Sequence, residues 1–275
     1  MSARLLRDAY GKAAIRLVKV VREGARHRIH DCTVGVQMEG RFESAHTEGI
    51  NAEVLPTDTM KNTVFALAKD SALDEPERFA HLLGRHFLEA SAAADRVTIE
   101  LLLHRWDRIG PHAFTRGSPE RRVAAISVTR QGVAIEAGIE GLGLLKSAGS
   151  GFEGFPRDRF TTLKETEDRI FATDVSARWR YSGFPSSCDS AFDRVRAALV
   201  DAFAAHQSKS VQHTLYAMGE AALAACPELT EIDLTMPNRH HLLVDLGPFG
   251  LENPNEIFVA TTEPHGLIRG TVARQ

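Results

Sequence analysis

The sequence of 275 residues lacks the features that identify several large classes of protein. It has no stretch near the roughly 20 consecutive apolar residues that a membrane helix needs, and its start has no apolar region of signal-peptide length. It also has no low-complexity segment and no long linker. Since 43% of its residues are hydrophobic, we expect a folded, soluble, cytoplasmic protein without a membrane partner.

An excess of charge of either sign is missing as well. The chain has 33 basic and 36 acidic side chains, for a formal net charge of −3, which indicates no nucleic-acid partner. The three cysteines are widely spaced and form no Cys-x-x-Cys pair, which argues against a disulfide framework and a structural zinc site. We expect Cys32, Cys188 and Cys226 to be small buried apolar residues.

The motifs of common cofactors are also absent. The chain has no Walker lysine, no His-Glu-x-x-His and no Gly-x-Ser-x-Gly. Its twelve histidines suggest a metal site, but His27 and His30 lie beside a predicted turn. His81 and His86 are five residues apart and do not share one helical face. We therefore expect no protein-bound metal.

The hydrophobic pattern that is present describes two halves with the same order of elements. Alternation over residues 14–21 and 30–38 predicts an antiparallel hairpin, and helical periodicity follows over 61–71 and 75–93. The remaining predicted elements are strands at 97–101, 123–128, 133–144, 173–181 and 229–234, and helices at 189–206 and 211–226. This order favours an α+β fold with antiparallel sheets over a doubly wound parallel sheet.

The length and an internal similarity both indicate two domains. About 150 residues per domain gives two, and a Gly-Ser-Pro cluster near residue 118 places the boundary between 1–118 and 119–275. Residues 62–68 align without gaps on residues 213–219, and both segments begin a helix-like stretch. We therefore expect two copies of one strand–helix–strand unit.

Three segments carry polar residues that a domain without a ligand would not need. Lys12 begins an otherwise apolar strand, where a solvated charge on an edge strand is the simplest explanation. Thr57, Asp58 and Thr59 precede a helix, either as N-cap residues or at a helix start whose N–H groups hold a planar anion. Residues 237–241 could form a turn with surface histidines, or a proton shuttle beside an amide donor.

These segments belong to a series of motifs that resembles the urate oxidase (uricase) family. The series covers nearly the whole chain in the family's order: Tyr10-Gly11-Lys12, 57–63, 144–147, 152–158, 160–170, Ser210-Val211-Gln212, Pro237-Asn238-Arg239-His240 and 264–268. The resemblance implies a tandem pair of tunnelling-fold (T-fold) domains, each an antiparallel sheet with helices on one face. It also implies a homotetramer around a tunnel, with active sites at the subunit interfaces.

The resemblance implies a reaction too. Uricases oxidise urate with O2 and water to 5-hydroxyisourate and hydrogen peroxide, and they use neither a metal nor an organic cofactor. Deprotonated urate is electron-rich enough to reduce O2, so the protein needs mainly to bind, deprotonate and orient it. The chain ends without the Ser-Lys-Leu signal of peroxisomal enzymes, which fits the expected cytoplasmic location.

The family's substrate contacts carry over to individual positions of this chain. Arg169 would make a paired contact to a urate carbonyl and a ring nitrogen, and Gln212 would bind the adjacent purine edge. Val211 would offer its backbone N–H. On the opposite edge, Thr57 and Asp58 resemble the residues that a second subunit contributes.

An aromatic residue would fix the plane of the purine. By the resemblance, Phe152 would stack on the flat face of urate. Core filling is the alternative for Phe152 alone, but Phe155 and Phe160 are nearby and better suited to that task. We therefore expect these two rings to be buried.

Four polar residues would handle protons and oxygen. Lys12, Thr57 and His240 resemble the family's proton-relay triad, in which a neutral lysine beside the threonine accepts the proton. His240 would pass protons to and from the relay and the hydrating water. Asn238, together with Thr57, would hold O2 and later water above the purine plane.

Two other functions remain open. One is a pterin-type T-fold enzyme such as a cyclohydrolase or an aldolase, although several of those need a histidine-rich zinc site whose spacing is missing here. The other is a non-catalytic purine-binding tetramer. The presence of Lys12, Thr57 and His240 opposes it, because a purely binding pocket would need only Arg169, Gln212 and Phe152.

Overall fold

A computed structural model describes residues 3–275 and divides the chain into two compact units. Unit 1 consists of Met1–Gly138 and Arg180–Phe192, and unit 2 consists of Ile139–Trp179 and Asp193–Gln275. Compactness does not measure which segments fold independently, so the domain boundary at residues 118 and 119 stays a prediction. Within residues 3–275, no helix has the length and apolar character needed to cross a membrane.

Unit 1 begins with a hairpin of long strands, continues through helices and ends in further strands. Its elements are β1 (Tyr10–Val21), β2 (Arg28–Gly40), α1 (Glu43–Thr47), α2 (Thr57–Asp70), α3 (Pro76–Ala90), β3 (Ala94–His104), β4 (Asp107–Arg108), β5 (Phe114–Thr115) and β6 (Arg121–Thr129). The main sheet has the order β1-β2-β3-β6 with antiparallel neighbours. Helix α2 packs on β1, and α3 packs on β3 and β6.

Unit 2 repeats this order of elements. Strands β7 (Val133–Lys146) and β8 (Phe171–Tyr181) and helix α4 (Cys188–Ala205) have residues in both units. The remaining elements are α5 (Val211–Ala225), β9 (Leu229–Asn238), β10 (His241–Leu243), a 3-10 turn (Gly247–Phe249), β11 (Phe258–Ala260) and β12 (Gly266–Ala273). The strand order is β7-β8-β9-β12, β9 and β12 are antiparallel, and α5 packs on both.

The second long helices of the two units show that their architectures correspond. Gly84 and Gly219 are each the ninth residue of a 15-residue helix, α3 or α5. A Cβ on Gly84 would lie 2.7 Å from Cγ2 of Val128, and a Cβ on Gly219 would lie 2.5 Å from Cγ2 of Val272. Each valine is on the last strand of its unit's sheet. A glycine therefore lets the second long helix of each unit approach its sheet closely.

The predicted α+β fold with antiparallel strands is confirmed, and so is the burial of the three cysteines. The gapless alignment of residues 62–68 with 213–219 is wrong as a match of equivalent elements. The first segment lies in α2, the first long helix of unit 1, and the second lies in α5, the second helix of unit 2. Both helices pack one face on a sheet, and this shared requirement produces similar apolar spacing.

Candidate active site

An irregularity in β1 decides where Lys12 points. Between Lys12 and Ile15, β1 has one residue more than its partner β2, and Ala14 in this bulge has a left-handed φ of 57°. One extra residue reverses the alternation of side chains, so Lys12 turns to the buried face that Ile15 shares. Lys12 is accordingly half-buried, whereas Gly11 and Ala13 are exposed. Lys12 is therefore less exposed than a fully solvated charge, and its part in a proton relay stays a prediction.

The polar run at residues 57–59 forms the first turn of α2. Pro56 occupies the N-cap position, and no side chain caps this helix start. The N-cap interpretation of Thr57, Asp58 and Thr59 is therefore wrong. Thr57 is half-buried, and its hydroxyl makes no hydrogen bond within residues 3–275. The first N–H groups of a helix also have no acceptor inside the helix.

Asp58 is fixed by its neighbours in the same turn. Its carboxylate accepts hydrogen bonds from Lys61 Nζ at 2.5 Å and from Asn62 Nδ2 at 3.0 Å. The hydrogen bond from Lys61 is the main cause that lowers the pKa of Asp58. Helix α2 packs on β1, so unit 1 holds both Lys12 and the helix start that carries Thr57 and Asp58.

In unit 2, backbone hydrogen bonds join the three segments that carry the expected substrate contacts. The N–H of Ser208 donates to the Gly149 carbonyl, and the N–H of Gly151 donates to the Ser208 carbonyl, both at 2.9 Å. Phe152 and Thr166 exchange two backbone hydrogen bonds, of 2.8 and 3.2 Å. Residues 149–152, which we call the central segment, therefore hold the chain before Arg169 on one side and the chain before Val211 on the other.

Asp168 adds a side-chain contact to the central segment. Its Oδ1 accepts the N–H of Ser150 at 3.0 Å, and its carbonyl accepts the hydroxyl of Thr166 at 2.7 Å. No motif in the sequence assigns a role to Asp168, although it directly precedes Arg169. Spacing alone gives no sign of this contact, because its partner lies 18 residues earlier in an irregular segment.

Arg169 is a half-buried cation without a counter-ion among residues 3–275. Its Nε is buried and has no hydrogen-bond partner in this range, and burial lowers its pKa. A guanidinium nevertheless stays charged in proteins. Its central carbon lies 5.4 Å from the centre of the Phe152 ring. The planar group can therefore offer paired N–H donors to an anion lying beside that ring.

The phenylalanines near Arg169 are less buried than the sequence predicts. Phe152 is half-buried and stacks on Phe155, with ring centres 5.0 Å apart and an interplanar angle of 11°. Phe160 is 73% exposed, so the prediction that it fills the core is wrong. Phe155 packs against Phe152 and is half-buried. Both residues lie in the irregular chain between β7 and β8, where no regular element directs side chains into the core.

Val211 and Gln212 are the first two residues of α5. Ser210 is the N-cap residue, and its hydroxyl accepts the N–H of His213 at 3.1 Å. This cap uses the third N–H of the helix and leaves those of Val211 and Gln212 without an intrahelical acceptor. The side chain of Gln212 is exposed, so its amide lies at the helix start together with the backbone N–H groups of Val211 and Gln212.

Asn238 and His240 lie where β9 ends. Between them, the guanidinium of Arg239 donates to Asp174 on β8, which fixes the strand end. The carbonyl of His240 accepts the N–H of Thr261 at 2.9 Å. The side chain of His240 is half-buried and has no hydrogen-bond partner within the described chain.

The structure therefore groups the candidate residues by unit. Unit 1 groups Lys12, Thr57 and Asp58, and unit 2 holds Phe152, Arg169, Val211, Gln212, Asn238 and His240. A groove of about 760 Å³ in unit 1, lined among others by Arg7, Glu39 and Arg96, includes none of them. No three His, Cys, Asp or Glu side chains of residues 3–275 are grouped as metal ligands would be.

Comparisons with known proteins agree on one family. A sequence model described as "Uricase" matches residues 8–127 and 135–269. The chain is 49% identical over 272 residues to a uricase from Arthrobacter globiformis, covering 98% of this chain and 89% of that protein. It is 35% identical to a uricase from Aspergillus flavus, with 96% and 95% covered. A crystal structure of the Arthrobacter globiformis uricase superposes with a TM-score of 0.97 at 48% identity, covering 100% of this chain and 96% of that one.

The Asp168 contact yields a prediction about ligand binding. We expect Asp168→Ala to weaken binding of urate, the ligand that the resemblance implies, by about tenfold, since one hydrogen bond that orders the Phe152 segment is lost. Asp168→Asn keeps an acceptor for the Ser150 N–H and should bind within about twofold of the parent protein. Titration calorimetry measures both affinities. Equal affinities for the alanine variant and the parent would contradict this role.

Proposed function

The chain belongs to the uricase family and is an oxidase acting on urate, and on that premise we propose how its residues bind and oxidise this purine. The observation that carries the proposal is Arg169, a half-buried guanidinium without a counter-ion beside the ring of Phe152. A planar anion with an aromatic ring system satisfies both groups together. Urate has this chemistry.

The substrate is held by unit 2. Arg169 donates two parallel hydrogen bonds to a carbonyl and the adjacent ring nitrogen of urate, while Gln212 binds the neighbouring edge through its amide. The N–H of Val211 meets the same edge, at a helix start whose dipole favours negative charge. Phe152, supported by Phe155, stacks on the purine and sets its plane. The central segment fixes the relative positions of these contacts.

Deprotonation is the task of the group in unit 1. A threonine hydroxyl is a weak base, so Thr57 passes the proton of urate to a neutral Lys12, which the bulge in β1 turns toward a buried face. His240 exchanges protons with this pair and with water. Asp58 lies at the same helix start, where its N–H groups meet the anionic substrate.

The oxidation needs no electron source beyond the substrate. Deprotonated urate gives two electrons to O2, which takes up two protons and leaves as hydrogen peroxide, and water then adds to the oxidised ring to form 5-hydroxyisourate. Asn238 and Thr57 hold O2 above the purine plane and later hold the water that replaces it. The protein supplies binding, orientation and proton transfer, and no metal or organic cofactor takes part.

We further propose that the active sites form between chains of a homotetramer. Thr57 and Asp58 come from a neighbouring subunit, and Lys12 comes with them because all three residues belong to unit 1. The similarity to uricases over almost the full chain supports this assembly. A pterin-type T-fold enzyme and a non-catalytic purine-binding tetramer are the other outcomes that experiments should distinguish.

Turnover of urate by the purified protein tests the function. We expect the metal-stripped protein to consume one O2 for each urate and to release one hydrogen peroxide, because the substrate itself is the reductant. Urate absorbance, an oxygen electrode and a peroxide assay measure the three quantities. Binding of urate without turnover would indicate a purine-binding protein, and turnover of a pterin that depends on added zinc would indicate the other T-fold class.

Variants at the two kinds of residue should affect different kinetic constants. We expect Lys12→Met to lower kcat about 100-fold while the affinity for urate changes less than about threefold, because the lysine acts as a base. Arg169→Ala should raise the Kd for urate about 30-fold or more, since a paired charged contact is lost. Steady-state kinetics and calorimetry separate these effects. Small, equal effects of both substitutions would contradict the assigned roles.

A further inference from the structure

Tyr10 makes a contact that links the two proposed partners of the proton relay. It lies two residues before Lys12 on β1, and its hydroxyl oxygen accepts the backbone N–H of Leu55 at 2.9 Å. Leu55 in turn lies two residues before Thr57, the first residue of α2. The hydrogen bond therefore joins the strand of Lys12 to the segment that leads into Thr57, at the same short spacing on both sides.

The ring of Tyr10 is held firmly, so its hydroxyl has a defined position. The ring meets Phe42 edge-on, with ring centres 4.8 Å apart, and Phe42 is only 1% exposed. On the neighbouring strand, Tyr10 pairs with Met38, which is fully buried. Burial raises the pKa of Tyr10, so the phenol stays neutral and keeps its proton while it accepts from Leu55.

The segment before Thr57 has few other means of being held in place. Residues 48–56 belong to no helix or strand. Pro56 has no N–H to donate, and no side chain caps the start of α2. The N–H of Val54 turns back to the carbonyl of Asn51 in the same segment. In the described part of the chain, the bond from Leu55 to Tyr10 is the one that ties this segment to β1.

We propose that Tyr10 is a positioning residue of the urate oxidation, which sets the separation between Lys12 and Thr57 by anchoring Leu55 to β1. The proposal rests on the function assigned to Lys12 and Thr57 above. Tyr10 acts through these two residues and does not touch the substrate. The bulge turns Lys12 to the buried face, and Tyr10 brings the threonine to it.

The kinetic consequence follows from how proton transfer depends on geometry. A proton passes between two groups only at hydrogen-bond distance, so a small shift of Thr57 relative to Lys12 slows the chemical step. The main substrate contacts belong to unit 2 and do not depend on this hydrogen bond. Loss of the Tyr10 hydroxyl should therefore lower kcat and leave KM for urate nearly unchanged.

Tyr10→Phe tests the proposal, because it keeps the ring against Phe42 and removes only the acceptor. We expect kcat to fall about tenfold and KM to stay within about twofold of the parent enzyme. In a Lys12→Met background, the same substitution should lower kcat less than about twofold further, because the relay is already broken. This lack of additivity is a result that a general loss of stability would not produce.

Trp106→Phe is a matched control in the same unit. It also keeps an aromatic ring and removes one side-chain hydrogen bond, from Trp106 Nε1 to Asp31 at 2.8 Å, and Trp106 is not part of the relay. We expect its kcat to equal that of the parent enzyme. Thermal unfolding of both variants shows whether each remains folded at the assay temperature.

The outcomes separate this inference from the proposed function. A parent protein that does not oxidise urate overturns the proposed function. If the parent and Lys12→Met behave as proposed but Tyr10→Phe keeps the parent kcat, only the role of Tyr10 is overturned. The same holds if Trp106→Phe loses as much kcat as Tyr10→Phe, or if Tyr10→Phe lowers kcat equally with and without Lys12.

Discussion

A half-buried positive charge without a partner is the constraint on which the arrangement of unit 2 depends. Partial removal of a guanidinium from water has a free-energy cost that a nearby carboxylate usually offsets, and Arg169 has none within residues 3–275. The chain keeps the group in place by backbone hydrogen bonds among three irregular segments, centred on residues 149–152. Such a site offers its binding free energy to an anion rather than to the fold.

Two similar scaffolds carry different chemistry in this chain. Both units have a glycine at the same helix position against a valine of the last strand. Both also have a lysine that caps the first long helix: Lys19 donates to carbonyls at the end of α2, and Lys146 to carbonyls at the end of α4. The helix dipole favours positive groups at the C-terminal end of a helix. The units differ in where the candidate residues lie: Lys12 and Thr57 of unit 1 lie on β1 and at the start of α2, whereas Phe152 and Arg169 of unit 2 lie in irregular chain.

The sequence predicts the regular part of this structure well, because apolar spacing reports which faces are buried. It does not reveal the bulge, since one extra residue between Lys12 and Ile15 leaves the composition of β1 typical of a strand. The exposure of Phe160 and the N-cap position of Pro56 depend on the path of irregular chain. Irregular chain has no periodic hydrophobic pattern from which its path could be predicted. The candidate site itself came from the order of motifs along the chain. Contacts such as Tyr10 with Leu55 join residues 45 positions apart, so only the folded chain reveals them.

The central claim is that each active site combines a proton acceptor from one chain with a pocket from another. Co-expression of Lys12→Met and Arg169→Ala chains, followed by purification of mixed oligomers, measures this directly. With random mixing, about one site in four receives an intact Lys12 and an intact Arg169, so we expect urate oxidation at about a quarter of the parent rate. Mixed oligomers no more active than either variant alone would contradict the claim, because every site would then lie within one chain.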